Sequence, residues 1–186
     1  MYRCKKILTA KPFTWLIFAS LCSLSPDSFA DMVFTGNLQD RLCQLAPSSA
    51  EQDVIFPQMT LAQFLDAPGR SPSQNFAIRL LNCQADAPGK VVKLIFSGQS
   101  EQSVPGAVKV SGVNSGKLVI QLVDTDGITP LALGEAHRAG KGDLITADMM
   151  TLNFSAYVRP TPDALAERSV KEGDYSAVVT FEINYQ

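Results

Sequence analysis

Apolar and polar residues alternate along most of this chain with the two-residue period of a β-strand rather than the period of a helix. The clearest case is Gly173 through Gln186: Tyr175, Ala177, Val179, Phe181, Ile183 and Tyr185 fall on one face, and Asp174, Ser176, Thr180, Glu182 and Asn184 on the other. Further strands are predicted over Val54–Phe56, Asn75–Cys83, Lys90–Ser97, Ala107–Val113, Lys117–Val123 and Met149–Val158, separated by turn formers such as Pro88-Gly89, Pro105-Gly106, Asn114-Ser115-Gly116 and Asp126-Gly127. In Lys90–Ser97, Val91 and Ile95 oppose Val92, Leu94 and Phe96, so that strand is apolar on nearly both faces and is expected in the centre of the fold. Leu61–Leu65 and Asp163–Arg168 are expected to be short helices in surface connections. Several short strands at this spacing predict an all-β sandwich. A one-sided apolar strand such as 173–186 is an aggregation hazard until its open edge is paired.

Met32, Phe34, Gly36 and Leu38 alternate with Val33, Thr35, Asn37 and Gln39, which gives a second one-sided strand, interrupted by a glycine. Glycine inside a strand marks a bulge or a close approach of something else. Residues 31 to 42 precede Cys43, so this arm lies outside any loop closed by that cysteine, and twelve extended residues reach roughly 40 Å. Whether the arm pairs with residues 173–186 of its own chain or leaves to pair elsewhere is open at this level.

The amino end changes the picture. Arg3, Lys5, Lys6 and Lys11 precede an apolar run from Phe13 to Leu24, followed by Pro26 and Ser28-Phe29-Ala30. This is the pattern of a secretory signal peptide cleaved after Ala30. The run is short for a membrane span, the alternative being an uncleaved anchor. Removing residues 1–30 takes the basic and acidic counts from 16 and 18 to 12 and 17, a net charge of about −5, which argues against nucleic acid or an anionic membrane surface as partner. Cys4 and Cys22 leave with the signal. Cys43 and Cys83 remain, and in an exported chain such a pair is expected to form one disulfide, the alternative being two free thiols. The remaining 31–186 is the size of one domain.

The residues that carry chemistry do not converge. His137 is the single histidine, which lowers the expectation of zinc, copper or nucleophile–base sites. It sits in a Gly-rich stretch, Gly134–Gly142, and is expected to be a solvated side chain on a flexible hairpin loop. That stretch has the wrong spacing for a phosphate loop, and Gly142 stands where Ser or Thr would be needed. Asp124, Asp126 and Glu135 lack the glycine a calcium loop requires, and Asp126-Gly127 reads as a hairpin turn. No catalytic, cofactor-binding or metal-binding residue is assigned, and no small-molecule substrate is expected. A secreted enzyme would need a constellation of acids, bases or ligands; an adhesin with a separate binding domain would need a longer chain.

Taken together, these residues resemble the pilin subunits of chaperone-usher fimbriae. The features that carry the resemblance are Gly173 at the fourteenth position from the end, the penultimate Tyr185, the alternating Val179, Phe181 and Ile183, the Cys43/Asn82-Cys83 pair, and the arm Phe34-Thr35-Gly36-Asn37-Leu38. Within the family the chain is most similar to K-type minor tip subunits, on Gly36-Asn37-Leu38 with Asp40-Arg41, Pro68-Gly69-Arg70-Ser71-Pro72, Gly112-Val113-Asn114, Leu122–Gly127 and Ala156-Tyr157-Val158 followed by Thr161-Pro162. The resemblance covers the mature chain. It implies an incomplete immunoglobulin-like β-sandwich of six strands, lacking the seventh, with residues 43–186 as pilin domain and 31–42 as a donor-strand extension. It further implies that Met32, Phe34, Gly36 and Leu38 fill the groove of a neighbouring subunit. The chain's own groove would be walled by Gly173, Tyr175, Val179, Phe181, Ile183 and Tyr185, with Gln186 as a handle for a periplasmic chaperone. An outer-membrane usher and pilin subunits on both sides are the other implied partners, and the fimbrium is the implied location. Other minor, major or adhesive fimbrial subunits are the alternatives within the family.

Overall fold

The fold was analysed in a computed structural model, which describes residues 42–84 and 89–186. The expected signal peptide and the arm up to Arg41 lie outside the described residues. The strands are β1 (Gln44–Leu45), β2 (Gln74–Leu81), β3 (Val91–Gly98), β4 (Ser100–Glu101), β5 (Val104–Lys109), β6 (Ser111–Gly112), β7 (Leu118–Val123), β8 (Pro130–Leu131), β9 (Asp143–Leu144), β10 (Met150–Pro160), β11 (Tyr175–Ser176) and β12 (Val179–Tyr185). The helices are α1 (Pro47–Ala50), α2 (Leu61–Leu65) and α3 (Pro162–Ala166).

One sheet runs in the order β1-β2-β10-β7-β5-β4, with β8 added beside β7; a smaller sheet runs β12-β3-β9. Every pairing is antiparallel. The two sheets share one core, in which Ile78, Leu80, Leu122, Leu152, Phe154 and Val158 of the large sheet meet Val92, Leu94 and Phe96 of the small one. Phe96 stands edge-on to Phe154 at 5.1 Å between ring centroids, a geometry that the ring quadrupoles favour. β3 is central in its sheet, as its two-faced pattern predicted.

The predicted strands recur with three differences. Val54–Phe56 joins no ladder: a strand requires a hydrogen-bonding neighbour, and no described segment lies against its groove side. Ala107–Val113 is cut into β5 and β6, with Gly112 at φ +99°. The terminal stretch is likewise cut into β11 and β12, and the two parts bond to different partners. Tyr175 and Ser176 pair with Gly112 and Ser111, whereas Val179–Tyr185 pairs with Gly98–Val92 of β3. The helices are also more than surface connections, because Phe64 of α2 and Ala164 of α3 are buried in the core.

The largest correction concerns Gly134–Gly142, which is neither a flexible loop nor a carrier of a solvated histidine. His137 is fully buried. The segment lies along the free edge of β3: Gly134 N–H donates to the Phe96 carbonyl at 2.8 Å and His137 N–H to the Leu94 carbonyl at 3.0 Å. The return bond comes from Leu94 N–H to His137 Nδ1 at 2.9 Å. That bond fixes the tautomer, so Nε2 carries the proton and donates to Asp143 Oδ2 at 3.0 Å. The imidazole thus stands in for a backbone carbonyl in the ladder. Asp124 and Asp126 are similarly engaged in turn formation. Asp126 accepts from the Thr129 hydroxyl and from the N–H groups of Ile128 and Thr129, bonds that lower its carboxyl below the usual range. The β7–β8 hairpin expected at Asp126-Gly127 is present.

Cys43 and Cys83 form a disulfide. It joins the start of β1 to the end of β2, two strands already paired through Gln44–Leu81.

Two positions test this framework. Gly173 holds φ +142°, and a Cβ there would lie 2.6 Å from Val113 Cγ2. Gly173→Ala is expected to lower stability by about 1–3 kcal/mol, read from the denaturant midpoint. His137→Ala leaves the buried Leu94 N–H without an acceptor, at a further cost of about 1–3 kcal/mol, and His137→Asn restores part of it. If His137→Ala unfolds at the wild-type midpoint, the ladder role is wrong.

Candidate functional site: an open groove beside the last strand

β12 is one-sided in the fold as in the sequence. Val179, Phe181, Ile183 and Tyr185 pack against the core, while Thr180, Glu182 and Asn184 face out. Three of these lie opposite apolar β3 residues, Phe181 opposite Phe96, Ile183 opposite Leu94 and Tyr185 opposite Val92, while Val179 lies opposite Gly98. No described strand pairs with the other edge of Val179–Ile183. The inward side chains stay only partly buried although they touch the core.

The reason is a groove of about 690 Å³ along that edge. One wall is Tyr175–Val179 with Phe181; the other is Ser49–Phe56. Phe76, Ile78, Phe96, Ile120, Leu122 and Ala156 form the floor, so the interior of the sandwich reaches the surface here. Val54 and Phe56 turn toward the groove, while Ile55 between them is 79% exposed. A segment with alternating side chains and unpaired backbone on each side of an apolar floor is what an added strand requires.

Contacts bridge the groove near each end. At one, the Tyr185 hydroxyl donates to the Cys43 carbonyl at 3.0 Å, which ties β12 to the disulfide. At the other, the rings of Phe56 and Tyr175 meet at 6.4 Å, and burial pushes the Tyr175 phenol up. Gln186 lies beyond the first bridge. Its N–H donates to the Val91 carbonyl at 2.9 Å, its carbonyl accepts from Val91 N–H at 2.7 Å, and its side-chain Oε1 accepts from Lys93 at 2.7 Å.

Of the residues singled out from sequence, the structure brings Tyr175, Val179 and Phe181 together as groove wall. Ile183 and Tyr185 continue the same face toward the disulfide end. Gly173 precedes β11, where its missing side chain admits Val113 and lets the chain turn from β6 toward β3. Met32, Phe34, Gly36 and Leu38 lie outside the described residues. The sequence reading missed the opposite wall, Ser49–Phe56, and the floor. The alternation of Val54, Ile55 and Phe56 was visible, but nothing local shows which β-strand side chains remain uncovered. Among the described residues no group of three or more His, Cys, Asp or Glu side chains could hold a metal ion.

Comparison with known proteins places this geometry. The Fimbrial protein family profile matches residues 32–186. The fimbrial adapter PapK of Escherichia coli is 45% identical over 171 residues, spanning 92% of this chain and 96% of the relative, and Protein PrsK of Escherichia coli is 46% identical over the same spans. Among solved structures, the P pilus rod subunit PapA superimposes with a TM-score of 0.65 at 26% identity, over 78% of this chain and 100% of that one. A chaperone-usher pilus structure concerned with rod uncoiling matches with a TM-score of 0.64 at 26% identity, over 87% and 98%. The fold is therefore an immunoglobulin-like sandwich that lacks a strand, and the chain belongs to the fimbrial protein family.

Proposed function

We propose that this chain is a minor adaptor subunit of a chaperone-usher fimbria, linking a tip fibre to a rod, and that its groove receives a strand donated by another protein. The observation that carries the reading is the apolar floor exposed between Ser49–Phe56 and Tyr175–Phe181, beside a strand edge with no described partner. The adapter subtype rests on 45–46% identity to PapK and PrsK, against 26% to the rod subunit PapA. Adjacent pilin subunits are its assembly partners, and the extracellular fimbrium is its place of work.

The order of events follows from the physical state of the groove. An exposed apolar floor makes the free chain prone to aggregate at high concentration, so a periplasmic chaperone lends a strand first, held by backbone bonds to the open edge of β12. Gln186 supplies an end-on anchor for basic groups of the chaperone. At the outer-membrane usher, the arm of the next subunit replaces the lent strand. This chain's own arm fills the groove of the subunit ahead: Met32, Phe34 and Leu38 are its apolar knobs, and Gly36 meets the floor where no side chain fits. A fully buried Phe or Leu knob stabilises the joint by about 1.5–3 kcal/mol.

Three outcomes test this. Phe34→Arg leaves chaperone co-purification unchanged and reduces fibre yield about tenfold or more, counted by electron microscopy; a normal yield removes the arm from the donor role. Deleting Tyr185 and Gln186 abolishes capture by the chaperone. Tyr185→Phe removes the hydroxyl, and with it the bond to Cys43, and retains capture, which separates the loss of the anchor from loss of the hydroxyl. Capture that survives the deletion would rule out the C-terminal anchor.

A further inference from the structure

The outward face of the terminal stretch is polar at Ser176, Thr180, Glu182 and Asn184, with one exception. Val178 points out and is 82% exposed. Across the groove, Ile55 also points away from the floor and is 79% exposed. Both belong to the groove walls at the same end, because Val179 pairs with Gly98 at the end of β3 and Phe56 touches Tyr175. Val54, Phe56, Val179 and Phe181 are already half-buried along the groove, whereas these two stand mostly exposed on its walls. Two large apolar side chains flanking the mouth of a binding groove call for a second contact.

The far end of the molecule carries a matching pair. Leu144 is 57% exposed and Met149 66% exposed. Leu144 pairs with Val91, which bonds to Gln186, and Asp148, next to Met149, accepts from Cys83 N–H at 2.9 Å. Both therefore sit at the disulfide end, where the arm joins the domain: Leu42 is buried there and its carbonyl accepts from Gln84.

We infer that Ile55 and Val178 form a docking surface for the globular body of the fimbrial subunit whose arm occupies the groove. That body is met through its own disulfide end, the position of Leu144 and Met149 in this chain. The inference rests on the donor-strand reading above. Every ladder in this fold is antiparallel, and an arm that continues the sheet antiparallel to β12 runs from the Tyr185 end toward the Val179 end. It emerges between Ile55 and Val178. In an arm with this sequence, the alternating pattern ends at Gln39 and Cys43 follows four residues later, a span of at most about 14 Å. The donor's body is thus held against the mouth, with its disulfide end facing it. Contact between unlike ends of successive subunits is heterologous and continues along a fibre.

The test separates body from arm. Mature chain carrying Phe34→Arg, which spoils the arm and leaves the groove, is immobilised with or without Ile55→Asp and Val178→Asp. Both positions are mostly exposed, so the substitutions do not touch the core. Two probes are applied: a synthetic peptide of residues 31–42, and the whole mature chain. The peptide's release from the two surfaces measures what the substitutions cost the groove wall itself, and the whole chain is expected to leave the doubly substituted surface about tenfold faster or more beyond that loss. Leu144→Asp with Met149→Asp in the applied chain reproduces the faster release from the unsubstituted surface. If the peptide binds and the whole chain leaves both surfaces equally fast, the docking surface is wrong and the groove reading stands. If the peptide binds neither, the groove does not take an arm of this pattern and this inference falls.

Discussion

The structure depends on one unsatisfied requirement: β12 has an apolar face and two backbone edges, and the described fold satisfies only one edge. Its pairing with β3 puts Phe181, Ile183 and Tyr185 opposite Phe96, Leu94 and Val92. Filling the other side would complete the sandwich inside one molecule. Leaving it open costs exposed apolar surface and makes the domain dependent on a second chain. On the proposed donor-strand reading that dependence is the joint, since burial missing from the fold becomes available to the assembly.

The rest of the molecule holds this unfinished region in shape. The disulfide and the Tyr185–Cys43 bond fasten the groove at one end, and the Phe56–Tyr175 contact spans it near the other. Beneath the groove, β3 is the middle of three strands, and β9 pairs with it only at Val91 and Val92. The His137 segment supplies what an ordinary strand would, with an imidazole nitrogen in place of a carbonyl. Gly112 and Gly173 let the terminal stretch pass close beside β6, because a Cβ would collide with the Asp174 carbonyl at the first and with the Val113 side chain at the second.

A relation between the two poles follows. The groove is not a uniform slot: Ile55 and Val178 stand exposed on its walls at one end, and Leu42 and the disulfide lie toward the other. A subunit of this build therefore has a direction, and a chain of such subunits has one too.

The sequence by itself determined the strands, the one-sidedness of residues 173–186, the disulfide expected from a lone cysteine pair, and, through the terminal glycine and aromatic with the alternating apolar residues, the family. These are read locally, because strand alternation and turn chemistry act over a few residues. Only the tertiary structure decided that Val54–Phe56 is a groove wall rather than a paired strand, that the terminal stretch divides between two sheets, and that His137 is buried in a ladder instead of solvated. Each of those depends on what lies across the fold. A glycine-rich stretch around a histidine reads as a loop until β3 is placed beside it, and an apolar residue reads as core until the groove beside it shows that no described segment covers it.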